Sequence, residues 1–377
     1  MKAALFTDSY LPNTDGVVSS ILAYKRGLEA AGHGWVVFAP DAPGYTEAKG
    51  DRVYRYKAFR FPPYPDYRAA IYPYSIPASI ARKEKLSLVH SKAMATMAIA
   101  SYKFARRAKI PCMASVETML PNGMHYLSSN PHVQVAGKKL IWSYLHWLYS
   151  HFDLITAPSE HTKGVLRQNG IESVALPSPI DTTRFAPDAK NGEKVRESLG
   201  IGKGEKLVLS IGRVVKEKNY DFILDVAKET RDPKVKFLIV GKGPYLEELQ
   251  AKASAMGLSG KMMFTGFILG RGQLIHYYNS ADAFIFASKF ETQGLTLLEA
   301  FACGKPAAVM EGTPMAEIVS HGKDGCIFSD DVRDACAKLS SCLQDSKKMA
   351  APARKTALKY SIPSLARRLV GLYKGLL

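Results

Sequence analysis

Short runs of consecutive apolar residues, each followed by a stretch with helical spacing, recur along the chain and start afresh near residue 200. In the first half the runs are Lys2–Phe6, Trp35–Phe38, Leu86–His90, Pro111–Val116 and Leu154–Ala157. In the second they are Lys206–Ile211, Lys236–Val240, Met262–Thr265, Ala283–Ala287, Ala307–Val309 and Cys326–Phe328. A strand that is apolar on both faces is buried on both, as in a parallel sheet covered by helices. Helical patterns at Val17–Ala31, Met94–Ala108, Asp221–Glu229, Tyr245–Ala255 and Leu295–Cys303 fall between the runs. The alternation predicts βαβ units and hence an α/β fold of two doubly wound domains.

A length of 377 residues suits two domains of roughly 100–200 residues each. The tract Leu176–Phe185 contains two prolines and reads as the boundary. It divides residues 1–178 from residues 179–360, and a C-terminal helix at 361–377 is expected to complete the first domain. Ligands of open α/β sheets bind beyond the carboxyl ends of the strands, so two such domains facing each other would enclose a cleft.

Lys and Arg number 51 against 34 Asp and Glu, a net charge of +17, which points to an anionic partner. Residues 49–109 alone hold 14 basic and 3 acidic side chains. The five cysteines are odd in number and include no Cys-x-x-Cys pair, so a disulfide framework and a zinc ribbon are both disfavoured. Reduced thiols in the cytosol are the simplest reading. The first residues read as a strand rather than a signal peptide. The apolar segment Leu140–Tyr149 is too short to span a bilayer, which takes about 20 residues.

Three stretches carry chemistry. Phe6–Val18 is a strand, a polar turn and then Gly16 before a helix, a joint whose amides attract phosphate. It lacks the Gly-x-Gly-x-x-Gly fingerprint, which counts against NAD or FAD. Ser210–Asn219 places Arg213 and Lys218 just after the first strand of the second half. Arg grips phosphate oxygens through two N–H groups and Lys adds a point charge. Phe290–Pro306 opens a helix near Gly294 and closes it at Gly304 and Pro306, with Glu291 and Glu299 eight residues apart. If wholly helical, eight residues would span roughly 12 Å. Taken singly, each stretch also reads as an ordinary turn, basic loop or exposed carboxylate.

In order, Arg213 and Lys218, Gly241-Lys-Gly-Pro244, Phe264-Thr-Gly-Phe267, and Glu291 with Glu299 resemble the retaining glycosyltransferases of family 4, which have the GT-B fold. The variants Glu-Thr-Gln-Gly-Leu at 291–295 and Tyr-Pro-Asp-Tyr-Arg at 64–68 are similar to the diacylglycerol glycosyltransferases of that family. The resemblance implies transfer of a hexose from a nucleoside-diphosphate sugar, UDP favoured and GDP possible, with no cofactor and no metal. No Asp-x-Asp motif of metal-dependent glycosyltransferases occurs. By the same resemblance Arg213 and Lys218 bind the diphosphate, Glu291 the hexose and Glu299 the ribose. Gly16, Gly243, Phe267, Thr292, Gln293, Gly294 and Leu295 line the rest of the donor site. The family commonly carries His-Thr after the fourth strand. Here Glu117 stands in place of that His, and His125 is a nearby substitute.

Acceptor or membrane candidates are Tyr10, Asp15, His125, Arg60, Tyr64, Arg68, Lys138, Lys139 and Trp142. Tyr and Phe interleaved with Lys and Arg at 53–68 suit a lipid–water interface, as does the helical spacing of Leu140, Ile141, Tyr144, Leu145 and Leu148. The bland alternatives are an alternating strand and a helix packed on its own domain. The expectation is therefore a cytoplasmic enzyme, peripheral on the inner face of the membrane, taking a lipid acceptor and anionic lipid surface. Rival readings are a soluble relative with a sugar or polyol acceptor and, remotely, a basic nucleic-acid-binding protein.

Overall fold

The computed structural model describes residues 1–61, 64–71, 76–121, 130–268 and 270–377; the side chains of residues 61–67 and of Arg271 lie outside that description. Two units result, Met1–Pro179 together with Ile362–Leu377, and Ile180–Ser361.

In unit 1 the elements run β1 (Lys2–Thr7), α1 (Gly16–Ala30), β2 (Gly34–Pro40), β3 (Val53–Tyr56), β4 (Ala58–Phe61), β5 (Tyr64–Ala70) and α2 (Ser79–Glu84). There follow β6 (Leu88–Lys92), α3 (Thr96–Ala108), β7 (Cys112–Ser115), α4 (Pro131–Tyr149), β8 (Leu154–Ala157), α5 (Glu160–Gln168) and β9 (Val174–Ala175). Seven of the strands form a parallel sheet ordered β3-β2-β1-β6-β7-β8-β9, while β4 and β5 pair antiparallel outside it. Phe6 and Phe38 stack with ring centroids 4.5 Å apart across β1 and β2, beneath Phe104 of α3.

In unit 2 the order is α6 (Ala189–Ser198), β10 (Lys206–Ile211), α7 (Tyr220–Glu229), β11 (Val235–Val240), α8 (Leu246–Ala255), β12 (Met262–Gly266) and α9 (Arg271–Ser280). Then come β13 (Ala283–Phe286), α10 (Leu295–Ala302), β14 (Ala307–Met310), α11 (Pro314–Ile318), β15 (Gly325–Phe328), α12 (Val332–Gln344) and α13 (Ser346–Leu358). The sheet is parallel, ordered β12-β11-β10-β13-β14-β15. Its two faces feed two cores: Val208 packs on one side, Leu207 and Leu209 on the other. That two-sided burial is why each strand reads as a continuous apolar run.

The chain returns to unit 1 as α14 (Ile362–Leu376), which packs on α1. A Cβ on Gly27 would lie 2.5 Å from Ala366 Cβ, so glycine is what lets the helices approach. Tyr373 of α14 donates to or accepts from His90 Nδ1 at 2.7 Å and accepts from Trp35 Nε1 at 2.8 Å.

Three expectations change. The sixth strand is Leu88–Lys92 rather than Leu86–His90, so Lys92 is its last residue. The 53–61 run is not one strand: β3 joins the main sheet and β4 turns away into the hairpin. The α4 face made by Leu145, Leu148 and Tyr149, with Ile141, Trp142 and Tyr144 partly buried against them, faces the core of unit 1 rather than a membrane.

Candidate active site

Strand order alone locates the place where each sheet can bind a ligand. In unit 2, β10 is flanked by β11 and β13, so the chain winds in opposite directions from the β10/β13 border. At such a switch point the connecting loops part and leave a crevice at the carboxyl ends of the strands. Arg213 and Lys218 follow β10, and Glu291 follows β13. The Lys218 ammonium forms an ion pair with Glu291 Oε1, both side chains half-buried. Two residues 73 positions apart thus meet at the border.

The loop bearing Arg213 and Lys218 is held from several sides. Val214 N–H donates to Lys242 O at 3.0 Å, and Tyr245 N–H donates to Val214 O at 3.2 Å. A Cβ on Gly243 would sit 2.0 Å from Val214 O, so a glycine there permits two loops to lie backbone to backbone. Asn219 takes a left-handed φ of 56° and its amide donates to Ala287 O at 3.2 Å, tying the loop to the end of β13. Tyr220, behind this loop, has its phenol pushed up by burial and by the neighbouring Glu291 carboxylate.

Thr292, Gln293 and Gly294 lead into α10 at Leu295. Gly294 has φ of 94°, and a Cβ there would approach Met315 Cγ to 2.6 Å. This left-handed step means residues 291–294 are not helical, so the helical span estimated between Glu291 and Glu299 does not apply. Glu299 lies on α10 and its Oε2 accepts from Tyr278 Oη at 2.6 Å. Phe267 is exposed beyond β12, with the Lys242 ammonium 4.9 Å from its ring centroid. The sequence signals this cation over an aromatic face only through Gly-Lys-Gly at 241–243.

In unit 1, Gly16 is the first residue of α1 and Asp15 is its N-cap. Asp15 accepts from Val18 N–H at 2.8 Å and from Ser9 Oγ at 2.6 Å. A cavity of about 270 Å³ opens beside this loop, lined by Asp8, Tyr10, Asp41, Arg55, Arg60 and Arg68 among others. Arg68 Nε donates to Asp41 at 2.9 Å, and Arg55 Nε donates to Glu47 at 2.8 Å. Arg60 is exposed at the cavity. The Tyr10 hydroxyl is buried with no hydrogen-bond partner among the described residues, and burial pushes its pKa to about 12. Burial also raises the Asp8 carboxyl, although it accepts from the Met94 and Ala95 amides.

Glu117, after β7, pairs with Lys92 at the end of β6. Lys138 and Lys139 are exposed on α4 and Trp142 is half-buried. His125 lies outside the described residues, as does the side chain of Tyr64. Among the described residues no cluster of three metal-ligating side chains occurs, and no helix is long and apolar enough to cross a membrane.

Residues 191–359 match the family described as glycosyl transferases group 1, and residues 14–184 match glycosyltransferase family 4. The chain is 31% identical over 339 residues to an alpha-monoglucosyldiacylglycerol synthase of Streptococcus pneumoniae, covering 87% of this chain and 75% of that protein. It is 27% identical over 345 residues to the protein of the same name from Acholeplasma laidlawii, covering 87% and 85%. Anabaena HepE in complex with UDP superimposes with a TM-score of 0.77 over 100% of both chains at 16% identity. Sucrose-phosphate synthase of Thermosynechococcus elongatus gives 0.78 over 100% and 98% at 15% identity. Two Rossmann-like parallel sheets, two family matches that together run through both units, and close relatives covered over most of their length lead to one conclusion: this chain is a glycosyltransferase of family 4 with the GT-B fold.

Proposed function

We propose that the enzyme is a retaining, metal-independent hexosyltransferase that carries a hexose from a nucleoside-diphosphate sugar, UDP-linked in preference to GDP-linked, to a hydroxyl of a diacylglycerol-like membrane lipid. The observation that carries this reading is the Lys218–Glu291 pair at the β10/β13 switch point. In the donor complex each partner changes its ligand: the diphosphate takes Lys218 and Arg213, and hexose hydroxyls take Glu291. As the anomeric bond breaks, negative charge grows on the β-phosphate and positive charge on the sugar. Preorganised cations and the amides leading into α10 stabilise that separation without reorganising. Glu299 receives the ribose hydroxyls, and Phe267 with Gly243 borders the base. The hydroxyl attacks on the face from which the diphosphate leaves, which preserves the anomeric configuration.

Unit 1 supplies the acceptor side. Its cavity combines the exposed guanidinium of Arg60 with the unsatisfied Tyr10 hydroxyl, so it favours a polar, hydrogen-bonding head group. Glu117 meets a substrate hydroxyl. Membrane contact is made by a stripe of α4 that keeps Leu140 from the spacing its sequence suggested and replaces the rest. Val133, Leu140 and Trp147 are exposed and recur every seven residues, which keeps them on one side of the helix, and the same helix carries the exposed Lys138 and Lys139 on its other sides. On this reading the enzyme lies peripherally on the inner, anionic face of the cell membrane. Relatives named as glucosyldiacylglycerol synthases support the lipid acceptor.

The deciding experiment offers UDP-, GDP- and ADP-sugars and follows nucleoside-diphosphate release with and without diacylglycerol vesicles. Release that rises with the vesicles is expected; release driven equally by a soluble polyol would replace the lipid reading.

A further inference from the structure

Lys92 and Glu117 are 25 positions apart and belong to the carboxyl ends of adjacent strands β6 and β7. They are paired almost out of water, with side chains 2% and 10% exposed. The Lys92 ammonium also donates to Ser20 Oγ of α1 at 3.0 Å and lies 5.0 Å from the Tyr24 ring centroid. Ser20 Oγ in turn accepts from Ser178 Oγ at 2.8 Å. Lys92 stands at the switch point of this sheet, where β1 is flanked by β2 and β6 and Thr7 of β1 is opposite Lys92 in the register, and Glu117 stands one strand further along, after β7.

A buried ion pair is a poor device for stability. Desolvating two charges costs several kcal/mol per ion, and well-packed apolar side chains of similar volume are often as stabilising or more so. The neighbouring core achieves its polar contacts with neutral groups, as in His90 with Ser115 and Tyr373. A charge pair at the ligand-binding edge of a sheet is therefore better explained by what it does to a ligand. A carboxylate has about four lone-pair directions and can accept from several donors at once, so pairing with Lys92 is compatible with receiving a hydroxyl.

We propose that Lys92 is a positioning residue: its ammonium, anchored by Ser20, holds the Glu117 carboxylate in the orientation that receives a substrate hydroxyl. This deepens the transferase reading above and rests on it. No proton or bond is exchanged between the two. The contribution of Lys92 is orientation, and a displacement of about 1 Å can lower a rate about 100-fold.

The test uses the full chain, diacylglycerol vesicles, and whichever of UDP-glucose and GDP-mannose the wild type turns over, with thermal melts alongside. Lys92→Met should lower kcat about 10–100-fold with the donor KM within about threefold, because the lost interaction is one made in the transition state. Lys92→Arg keeps the charge and should recover part of that loss. The isosteric Glu117→Gln should share the loss in kcat while remaining folded. The double variant Lys92→Met/Glu117→Leu removes both charges, and its melting temperature should return towards wild type while kcat stays low. A double variant with wild-type turnover would make the pair purely structural and overturn the assignment, as would a Lys92→Met whose only change is in KM. A wild type that releases no nucleoside diphosphate from either donor would sink the transferase reading itself, and this assignment with it.

Discussion

At the scale of single residues, the Lys218–Glu291 ion pair is the contact that a donor divides under the proposed function. Glu291→Ala should leave the melting curve close to wild type and reduce turnover by about 100-fold or more, the usual consequence of losing a preorganised group at the reacting centre. Product formation at wild-type rate would remove Glu291 from the site. Lys218→Ala should weaken nucleoside-diphosphate binding by about 10–100-fold, since hydrogen bonds to charged groups are worth about 1.5–3 kcal/mol. Calorimetry with UDP and, separately, free glucose distinguishes the two effects, because the free sugar should be affected less. His90 gives a residue-scale prediction about stability. It is buried between Tyr373 and Ser115, and burial holds its pKa well below the ordinary 6.5. The unfolded chain therefore binds a proton that the folded chain refuses. Stability attributable to His90 is complete above about pH 6.5 and falls below it, by up to about 1.4 kcal/mol per pH unit until the folded-state pKa is reached. Denaturant melts between pH 7 and 5 should show that slope, and a His90→Gln variant should flatten it.

At the scale of elements, α4 shows why periodicity must be combined with packing. Its sequence contains two apolar stripes. Leu145, Leu148 and Tyr149 are buried in unit 1, and Tyr144 Oη donates to Met94 O at 2.7 Å. Once that face is committed to the core, Val133, Leu140 and Trp147 are left outside, Leu140 at 73% exposure. Reversing Lys138 and Lys139 to Glu should cut pelleting with anionic vesicles by at least about tenfold, since each basic residue near such a surface contributes about 1 kcal/mol. The loss should shrink in high salt. Pelleting unchanged by the substitutions would move membrane contact away from α4. The β3–β5 region teaches a related lesson about charge. Counted along the sequence, residues 49–109 have a large basic excess. In the fold, Arg55 is paired with Glu47 and Arg68 with Asp41, acids that lie just outside that window, so less of the excess is available to a ligand than the count implied.

At the scale of the whole molecule, the chain leaves unit 1 at Pro179 and returns to it at Ile362. The return helix buries Leu365, Leu369 and Tyr373. At about 1.5–3 kcal/mol for each large apolar side chain, these alone rival a substantial part of a typical net stability of 5–15 kcal/mol. A chain ending at Ser361 should therefore expose Trp35 and the Gly27 face of α1, bind a hydrophobic dye and lose the cooperative melt of unit 1. A wild-type melting profile would show that α14 is dispensable.

The apolar runs determined by themselves that the protein would be built of parallel sheets under helices, because burial on both faces is a local property written into consecutive residues. β1, β8 and β10 show this with boundaries within one residue of the apolar runs. The spacing of Arg213 and Lys218, and the Gly-Leu that opens α10, were visible for the same reason: a loop and the helix after it are close in sequence. Tertiary structure alone decided which distant charges meet. Lys218 finds Glu291 because β10 and β13 are neighbours at a switch point, and Lys92 finds Glu117 because β6 and β7 are neighbours beside one, and strand order is set by long-range packing rather than by any local pattern. The face of α4 given to the core was decided in the same way, since a helix with two apolar stripes can bury either one until a neighbour is in place.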